Sequence, residues 1–140
     1  MKRETLFIDT SGWIALIDAD DAFHARAASF YRTLPLTVSK VSSSHIISET
    51  YTWLRHQSSF EQASLFLKTV GQACENQSLE IVYDDLQLWQ STGFVLAEFP
   101  GVKLSHVDAL SMAIMRSRGM TRVFGFDQHF RLMGFETVPQ

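Results

Sequence analysis

The chain has 140 residues, 46% hydrophobic and 19% charged, which excludes a disordered chain and predicts one domain over residues 1–140 with a sizeable core. The net charge of −3 argues against a protein that coats nucleic acid without sequence preference. No apolar run approaches the roughly 18 residues of a membrane span, and the single cysteine, Cys74, excludes a disulfide framework, so we expect a cytoplasmic protein.

Short apolar runs alternate along the chain with longer patterns at helical spacing. The predicted strands are 5–9, 36–38, 79–83, 122–126 and a last one that includes Glu136, Thr137 and Val138. The predicted helices are 11–19, one capped by Asp20-Asp21 that runs to 34, one capped by Ser42-Ser43-Ser44 that runs to about 55, 60–76, one capped by Asp84-Asp85 that runs to about 99, and 105–118. This alternation predicts the α/β class, a mostly parallel sheet with helices on both faces.

Two of the predicted strands end in an aspartate. Asp9 follows Leu6-Phe7-Ile8, and Asp127 follows a run that ends at Phe126. The carboxyl ends of parallel strands meet at one edge of a sheet, where ligands collect, so we expect these two acids to lie side by side. Asp9 could instead cap the helix that follows it, but Ser11 can take that role, and Asp127 could be an ordinary turn residue.

Two further acids lie on helix faces that lean toward packed side chains. Glu49 is in the second turn of its helix and borders an apolar face, although an acid in that position can also be a solvated rim residue. Asp108 shares a face with Leu104 and Met112, while Ser105 and Asp108 together match a capping box. Both interpretations of each acid remain open at this point.

Other charged residues are also candidates for a functional site. Asp84 also follows a predicted strand and is the main rival for a place at the sheet edge. From Gly101 onward the chain has 3 acids and 5 bases, against 12 acids and 7 bases before it. The basic excess there is either a solvated face or a phosphate-contacting patch. The arginines that supply most of it are Arg116, Arg118, Arg122 and Arg131.

Four carboxylates that converge on one pocket would repel one another unless a cation joined them. Oxygen-only ligation suits a hard ion such as Mg²⁺ or Mn²⁺. Such an ion can activate water and stabilise the charge that develops on a phosphodiester.

With these positions located, the chain resembles the PIN-domain nucleases, and in particular the VapC-type toxins of bacterial toxin–antitoxin pairs. Four segments, with the acids in the family's order, carry the resemblance over nearly the whole chain. They are Phe7-Ile8-Asp9-Thr10-Ser11-Gly12-Trp13, Ser48-Glu49-Thr50-Tyr51, Leu104-Ser105-His106-Val107-Asp108-Ala109 and Phe126-Asp127-Gln128-His129-Phe130.

The resemblance implies a three-layer α/β/α sandwich and a metal-dependent endoribonuclease, the toxin of a toxin–antitoxin pair. Asp9, Glu49, Asp108 and Asp127 would be the catalytic acids and the ligands of Mg²⁺ or Mn²⁺, and Ser11 a catalytic neighbour that positions water or substrate. The implied reaction is in-line attack of an activated water on the phosphodiester of a single-stranded or structured RNA. The implied partners are a small antitoxin and a second copy in a homodimer.

The chain also departs from the pattern of such relatives. Gly101 stands where some of them carry a further acid, and Gln128 stands where a basic residue is common. A PIN-like domain that binds RNA or a protein without cutting is therefore an alternative. A phosphotransfer enzyme would also use strand-end aspartates, but no second Asp follows Asp9 at two positions. His106 and His129 each lie two positions from a proposed ligand, where a zinc-binding or general-base role is an alternative and a surface or packing role is the simpler expectation.

Overall fold

The computed structural model describes residues 4–140, and that part of the chain contains one sheet of five parallel strands and seven helices. The strands are β1 (Thr5–Ile8), β2 (Ser39–Ser43), β3 (Leu79–Val82), β4 (Arg122–Phe124) and β5 (Glu136–Val138). The helices are α1 (Thr10–Ile17), α2 (His24–Thr33), α3 (Ser44–Gln57), α4 (Phe60–Glu75), α5 (Leu86–Glu98), α6 (His106–Ser117) and α7 (Gln128–Leu132).

The strand order, β3-β2-β1-β4-β5, places the first strand in the middle of the sheet. β1 pairs with β2 on one side, where Thr5 is opposite Ser39, and with β4 on the other, where Ile8 is opposite Phe124. Right-handed crossovers run outward from β1 to β3 and then from β3 back across the sheet to β4 and β5, which puts α1–α4 over one face and α5–α7 over the other. The predicted α/β/α sandwich with a parallel sheet is confirmed.

The core forms where the central strands meet the helices of both layers. Leu6, Phe7 and Ile8 of β1 are fully buried, as expected of a strand that is covered on both faces. The buried hydroxyl of Ser42 on β2 donates to the carbonyl of Ile8 at 2.9 Å and accepts from the indole N–H of Trp13 at 3.3 Å. These bonds tie the carboxyl end of β1 to β2 and to α1, and so hold that strand end rigidly.

The strand predicted at 36–38 is wrong, because the second strand begins at Ser39. Leu36 is 98% exposed, and the N–H of Val38 donates to the carbonyl of Pro35 at 3.1 Å, so this segment forms a turn. Its apolar residues resemble a short buried strand, whereas the true strand is rich in serine. The position of β2 is therefore determined by its pairing with β1 on one side and β3 on the other, and not by its hydrophobic pattern.

One helix boundary and one short helix also differ from expectation. α2 begins at His24 and not after the acidic pair, because Asp18 and Asp21 instead accept hydrogen bonds from N–H groups two residues further on, at 3.0 and 2.9 Å. These contacts form tight Asx turns. The short helix α7 follows Asp127 where the sequence predicts no helix. In the described residues, no helix is long and apolar enough to cross a membrane.

Gly12 allows α1 to pack closely on β4. A Cβ at this position would lie 2.4 Å from both the carbonyl oxygen and a ring carbon of Phe124, which is not a possible contact. We therefore expect Gly12→Ala to lower the free energy of unfolding by about 3 kcal/mol, the upper part of the range for overpacked cores. Urea denaturation followed by circular dichroism measures the change.

Gly71→Ala is the matched control, because Gly71 lies inside α4 and its added Cβ would meet no heavy atom within 4 Å beyond its chain neighbours and the backbone of its own helix. Removing a helical glycine there should stabilise the protein by about 0.5–1 kcal/mol. Equal stability of the two variants would contradict this account of Gly12.

Candidate metal centre

The strand order reverses between β1 and β4, and this switch point opens a crevice at the carboxyl ends of the two strands. Asp9 follows β1, and its N–H donates to the carbonyl of Phe124 at 3.0 Å. Asp127 follows β4 after two further residues. Two acids separated by 118 positions in the sequence therefore lie at one edge of the sheet, as the strand pattern predicts.

Asp9 is itself the cap of α1, which corrects the expectation that Ser11 would cap the helix and leave Asp9 free. The carboxylate of Asp9 accepts from the Ser11 hydroxyl at 2.8 Å and from the Ser11 N–H at 3.4 Å, and the residue is only 4% exposed. Because Oδ2 accepts both of these bonds, the carboxylate is held in a fixed orientation.

Ser11 joins Asp9 to the segment that follows β4. Its hydroxyl donates to Asp9 and accepts from the N–H of Phe126 at 2.9 Å. The intervening Gly125 leaves no room for a side chain, since an added Cβ would lie 2.9 Å from the Ser11 hydroxyl and 3.1 Å from the Asp9 Cβ. Ser11 therefore holds the two strand ends at a fixed separation.

Asp108 both caps a helix and faces the crevice, so the two interpretations left open by the sequence are compatible. Ser105 and Asp108 form a capping box at the start of α6, in which the Asp108 N–H donates to the Ser105 hydroxyl at 3.0 Å. Oδ2 of Asp108 accepts from the Ser105 N–H at 3.4 Å and lies 3.5 Å from Nδ1 of His129. The side chain is 14% exposed.

Asp127 and His129 complete the best-defined part of the site. Asp127 caps α7 by accepting from the His129 N–H at 2.9 Å, and its Oδ1 lies 3.1 Å from Nδ1 of His129. One oxygen each from Asp108 and Asp127 and one ring nitrogen of His129 lie within 4.8 Å of one another, a spacing at which they could hold a metal ion. In the described part of the chain, the buried Nδ1 has no hydrogen-bond partner of acceptable geometry.

Glu49 approaches the same crevice from α3. Partial burial raises the pKa of Glu49, and the negative charge of Asp108 raises it further. Glu49 therefore belongs to the same group of acids electrostatically. We call Asp9, Glu49, Asp108 and Asp127 the acidic cluster, because the charge of Asp108 acts on Asp9 and Glu49 and that of Asp127 acts on Asp108. Of these four acids, only Asp108 and Asp127 belong to the group whose possible ligand atoms all lie within 4.8 Å.

The acidic cluster is electrostatically strained as it stands. Burial raises the pKa of Asp9 to about 7, the Ser11 hydrogen bond lowers it, and the charge of Asp108 raises it again. Burial raises the pKa of Asp108 as well, and the charge of Asp127 adds to that rise. Within residues 4–140, no Lys or Arg forms an ion pair with any of the four acids. Carboxylate oxygens beside an imidazole nitrogen fit a divalent metal ion, and the nitrogen of His129 departs from the oxygen-only ligation that the sequence predicts.

Other candidates from the sequence lie outside the cluster. Asp84, the rival acid, pairs with His45 at 3.2 Å. Three of the four arginines near the end of the chain form ion pairs with glutamates, which favours the solvated-face interpretation for them over a phosphate-contacting patch. These pairs are Arg116 with Glu98, Arg118 with Glu80, and Arg122 with Glu4.

Comparisons with known proteins agree with this geometry. Residues 6–136 match the PIN domain family. The 23S rRNA-specific endonuclease VapC20 of Mycobacterium tuberculosis is 34% identical over 139 residues, which cover 95% of this chain and 97% of that protein. The crystal structure of VapC20, described as a sarcin-ricin loop cleaving toxin, superposes with a TM-score of 0.81 at 28% identity, over 93% of this chain and 95% of that one.

Two more distant structures share the fold. The VapBC2 structure from Rickettsia felis, bound to a DNA fragment from its promoter, has a TM-score of 0.71 at 14% identity and covers 95% of this chain and 96% of that one. A toxin–antitoxin complex from Klebsiella pneumoniae has a TM-score of 0.65 at 13% identity and covers 88% of this chain and 87% of that one.

Asp9→Asn should stabilise the metal-free protein in a pH-dependent way. The carboxyl of Asp9 titrates at 3.8 when unperturbed and at about 7 in the folded protein, so its ionisation opposes folding increasingly as the pH rises between those values. The cost is complete above about pH 7 and is at most about 4 kcal/mol. Asparagine removes it and keeps an oxygen for capping.

We expect the metal-free variant to be more stable than wild type at about pH 8, with a difference that shrinks toward pH 4. Urea unfolding in EDTA across this range measures it, and the control is Asp20→Asn, an exposed acid near the end of α1. A difference that does not vary with pH would contradict the buried charge.

His129 should supply a nitrogen ligand to a bound ion. Electron spin echo modulation of Mn²⁺ bound to the protein should show coupling to an imidazole nitrogen, and His129→Gln should remove it and weaken Mn²⁺ binding at least about 10-fold. His106→Gln is the control, because His106 packs beside Trp89 at a ring separation of 5.4 Å. Nitrogen coupling that persists in His129→Gln would overturn the assignment.

Proposed function

The chain belongs to the PIN domain family, and we propose that it is a metal-dependent endoribonuclease, the toxin of a toxin–antitoxin pair. The observation that carries the proposal is the acidic cluster at the switch point between β1 and β4. The 34% identity to a 23S rRNA-specific endonuclease over nearly the whole of both chains supports RNA as the substrate class.

The proposed ion is Mg²⁺ or Mn²⁺, held by Asp9, Asp108 and Asp127, with Glu49 at the rim and His129 as a nitrogen donor. Once bound, the ion would polarise water and offset the charge that develops on the phosphodiester. The raised pKa values of Asp9, Glu49 and Asp108 support this assignment, because a cation would remove the repulsion that raises them.

The chain's own residues would prepare the site. Ser11 holds the carboxylate of Asp9 in one orientation through its 2.8 Å bond, which supports a positioning role for this serine. The capping box fixes Asp108 at the first turn of α6. Without a cation the four acids repel the phosphates of RNA, so substrate binding at the cluster should itself depend on the ion. The catalytic roles of Asp9, Ser11, Glu49, Asp108 and Asp127 remain predictions.

A small antitoxin is the proposed protein partner, and the fold shared with a Klebsiella pneumoniae toxin–antitoxin complex is compatible with it. The homodimer and the single domain over residues 1–140 also remain predictions. Neither Gly101, in the exposed turn between α5 and α6, nor the exposed Gln128 lies among the ligands proposed for the ion.

Cleavage of total cellular RNA tests the proposal directly. The purified protein in Mg²⁺ or Mn²⁺ should release discrete fragments, and EDTA should abolish them. Asp108→Asn should reduce cleavage at least about 100-fold, since even supporting groups around a metal contribute 10–100-fold.

Asp84→Asn is the matched control, because Asp84 also follows a parallel strand but pairs with His45 outside the cluster. The Asp84→Asn variant should cleave RNA as efficiently as wild type. Cleavage that survives in folded Asp108→Asn would contradict the proposed centre, and RNA binding without cleavage by wild type would favour the non-cutting alternative.

A further inference from the structure

A cavity of about 490 Å³ lies beside the acidic cluster, toward β5. Its wall includes Gly125 and Phe126, which directly precede Asp127 in the chain. The N–H of Phe126 donates to the Ser11 hydroxyl at 2.9 Å, and that hydroxyl donates to Asp9 at 2.8 Å. Two hydrogen bonds thus connect the wall of this cavity to the acidic cluster.

A pair of stacked aromatic rings forms one side of the cavity. Phe23 and Phe126 have ring centroids 4.4 Å apart and planes inclined by only 6°. Phe23 is nevertheless 41% exposed, a large fraction for an aromatic side chain that already packs against another. It presents a flat apolar surface to any molecule in the cavity.

Two arginines, Arg26 and Arg131, supply positive charge to the cavity. The guanidinium carbon of Arg26 lies 5.8 Å from the ring centroids of both Phe23 and Phe126, so the aromatic pair helps to hold this side chain. In the described part of the chain, neither arginine forms an ion pair. Both guanidinium groups are therefore available to an anion.

The one glutamate on the cavity wall does not cancel this charge. The carboxylate of Glu136 lies 3.9 Å from Nε of Arg122, which partly neutralises it. Two arginines without a carboxylate partner therefore outweigh one glutamate that has a cationic partner. The cavity wall therefore combines an aromatic pair with two arginines that form no ion pair in the described residues, while the adjoining acidic cluster attracts cations.

We propose that this cavity binds a nucleotide of single-stranded RNA next to the phosphodiester that the acidic cluster acts on; the inference rests on the proposed function. The base stacks on Phe23, and Arg26 and Arg131 bind phosphate oxygens. Aromatic stacking together with guanidinium contacts is how proteins bind unpaired nucleotides. Because RNA is continuous, a strand with one phosphate at the cluster must place neighbouring nucleotides on the adjoining surface.

The two arginines are tested by measuring the binding of a short fluorescein-labelled single-stranded RNA of mixed sequence. Fluorescence anisotropy follows the binding in the presence of Ca²⁺ at several salt concentrations. A denaturing gel confirms that the RNA stays intact. Arg26→Gln and Arg131→Gln should each weaken binding at least about 10-fold, because each loses a charge-assisted bond. Each should also reduce the slope of log affinity against log salt by about 0.7, the value for one phosphate contact on a single strand.

Arg32→Gln is the matched control, because Arg32 is an exposed arginine on the same helix, α2, and does not line the cavity. It should keep the affinity and the slope of wild type. A loss caused only by unfolding would not reduce the salt slope by one contact, so the slope separates a binding role from a structural one.

Two substitutions of Phe23 test whether its flat aromatic ring stacks on an RNA base. Phe23→Leu should weaken RNA binding about 5- to 150-fold, the range for losing one stacked base. Phe23→Tyr keeps the flat ring and should restore binding to within a few-fold of wild type.

The outcomes separate this inference from the proposed function. Unchanged affinity and slope in both arginine variants would overturn the cavity assignment, even if wild type cuts RNA, and would favour a protein segment as the occupant. Arginine-dependent binding by a wild-type protein that never cuts would support the cavity and contradict the nuclease.

Discussion

The parallel pairing of β1 with β4 is the constraint on which the rest of the site depends. β1 is the central strand, the chain adds β2 and β3 on one side of it and β4 and β5 on the other, and the crevice at its carboxyl end exists because of that reversal. The pairing brings Asp9 beside the segment that leads to Asp127. Helices of the two layers then add Glu49 from one side and Asp108 from the other.

Charge is divided sharply between neighbouring regions of the surface. The carboxylates of the acidic cluster form no ion pair with a Lys or Arg of residues 4–140, and three arginines elsewhere are paired with glutamates. Arg26 and Arg131 alone among the arginines discussed line a cavity without forming an ion pair in the described residues. Packing does not require this arrangement, since surface ion pairs contribute little to stability. The proposed binding of a cation at the acidic cluster and of RNA in the adjoining cavity would account for this arrangement.

The sequence predicts the acids well because strand ends and capping patterns are local signals. The apolar run before Asp9 and the Ser105–Asp108 spacing each identify an element and the position of an acid within it. The register of β2 could not be predicted in this way, since its serine-rich strand is defined by partners on both sides. The sequence also favours a surface or packing role for His129 and does not predict its position beside Asp108 and Asp127, because that position depends on α7, a five-residue helix with little pattern of its own. The histidine two positions after a strand-end acid was the available signal.

The separation of 118 residues between Asp9 and Asp127 also has a consequence for biosynthesis. The pairing of β1 with β4, which brings these acids to one edge, is among the most non-local in the chain, and the loop-closure entropy of such pairing makes it slow to form. A nascent chain on the ribosome can build β1, β2 and β3 with their helices before β4 has been translated. The acids therefore assemble only after most of the polypeptide has been made, so a partly synthesised protein carries no complete cluster near the RNA of the machine that produces it.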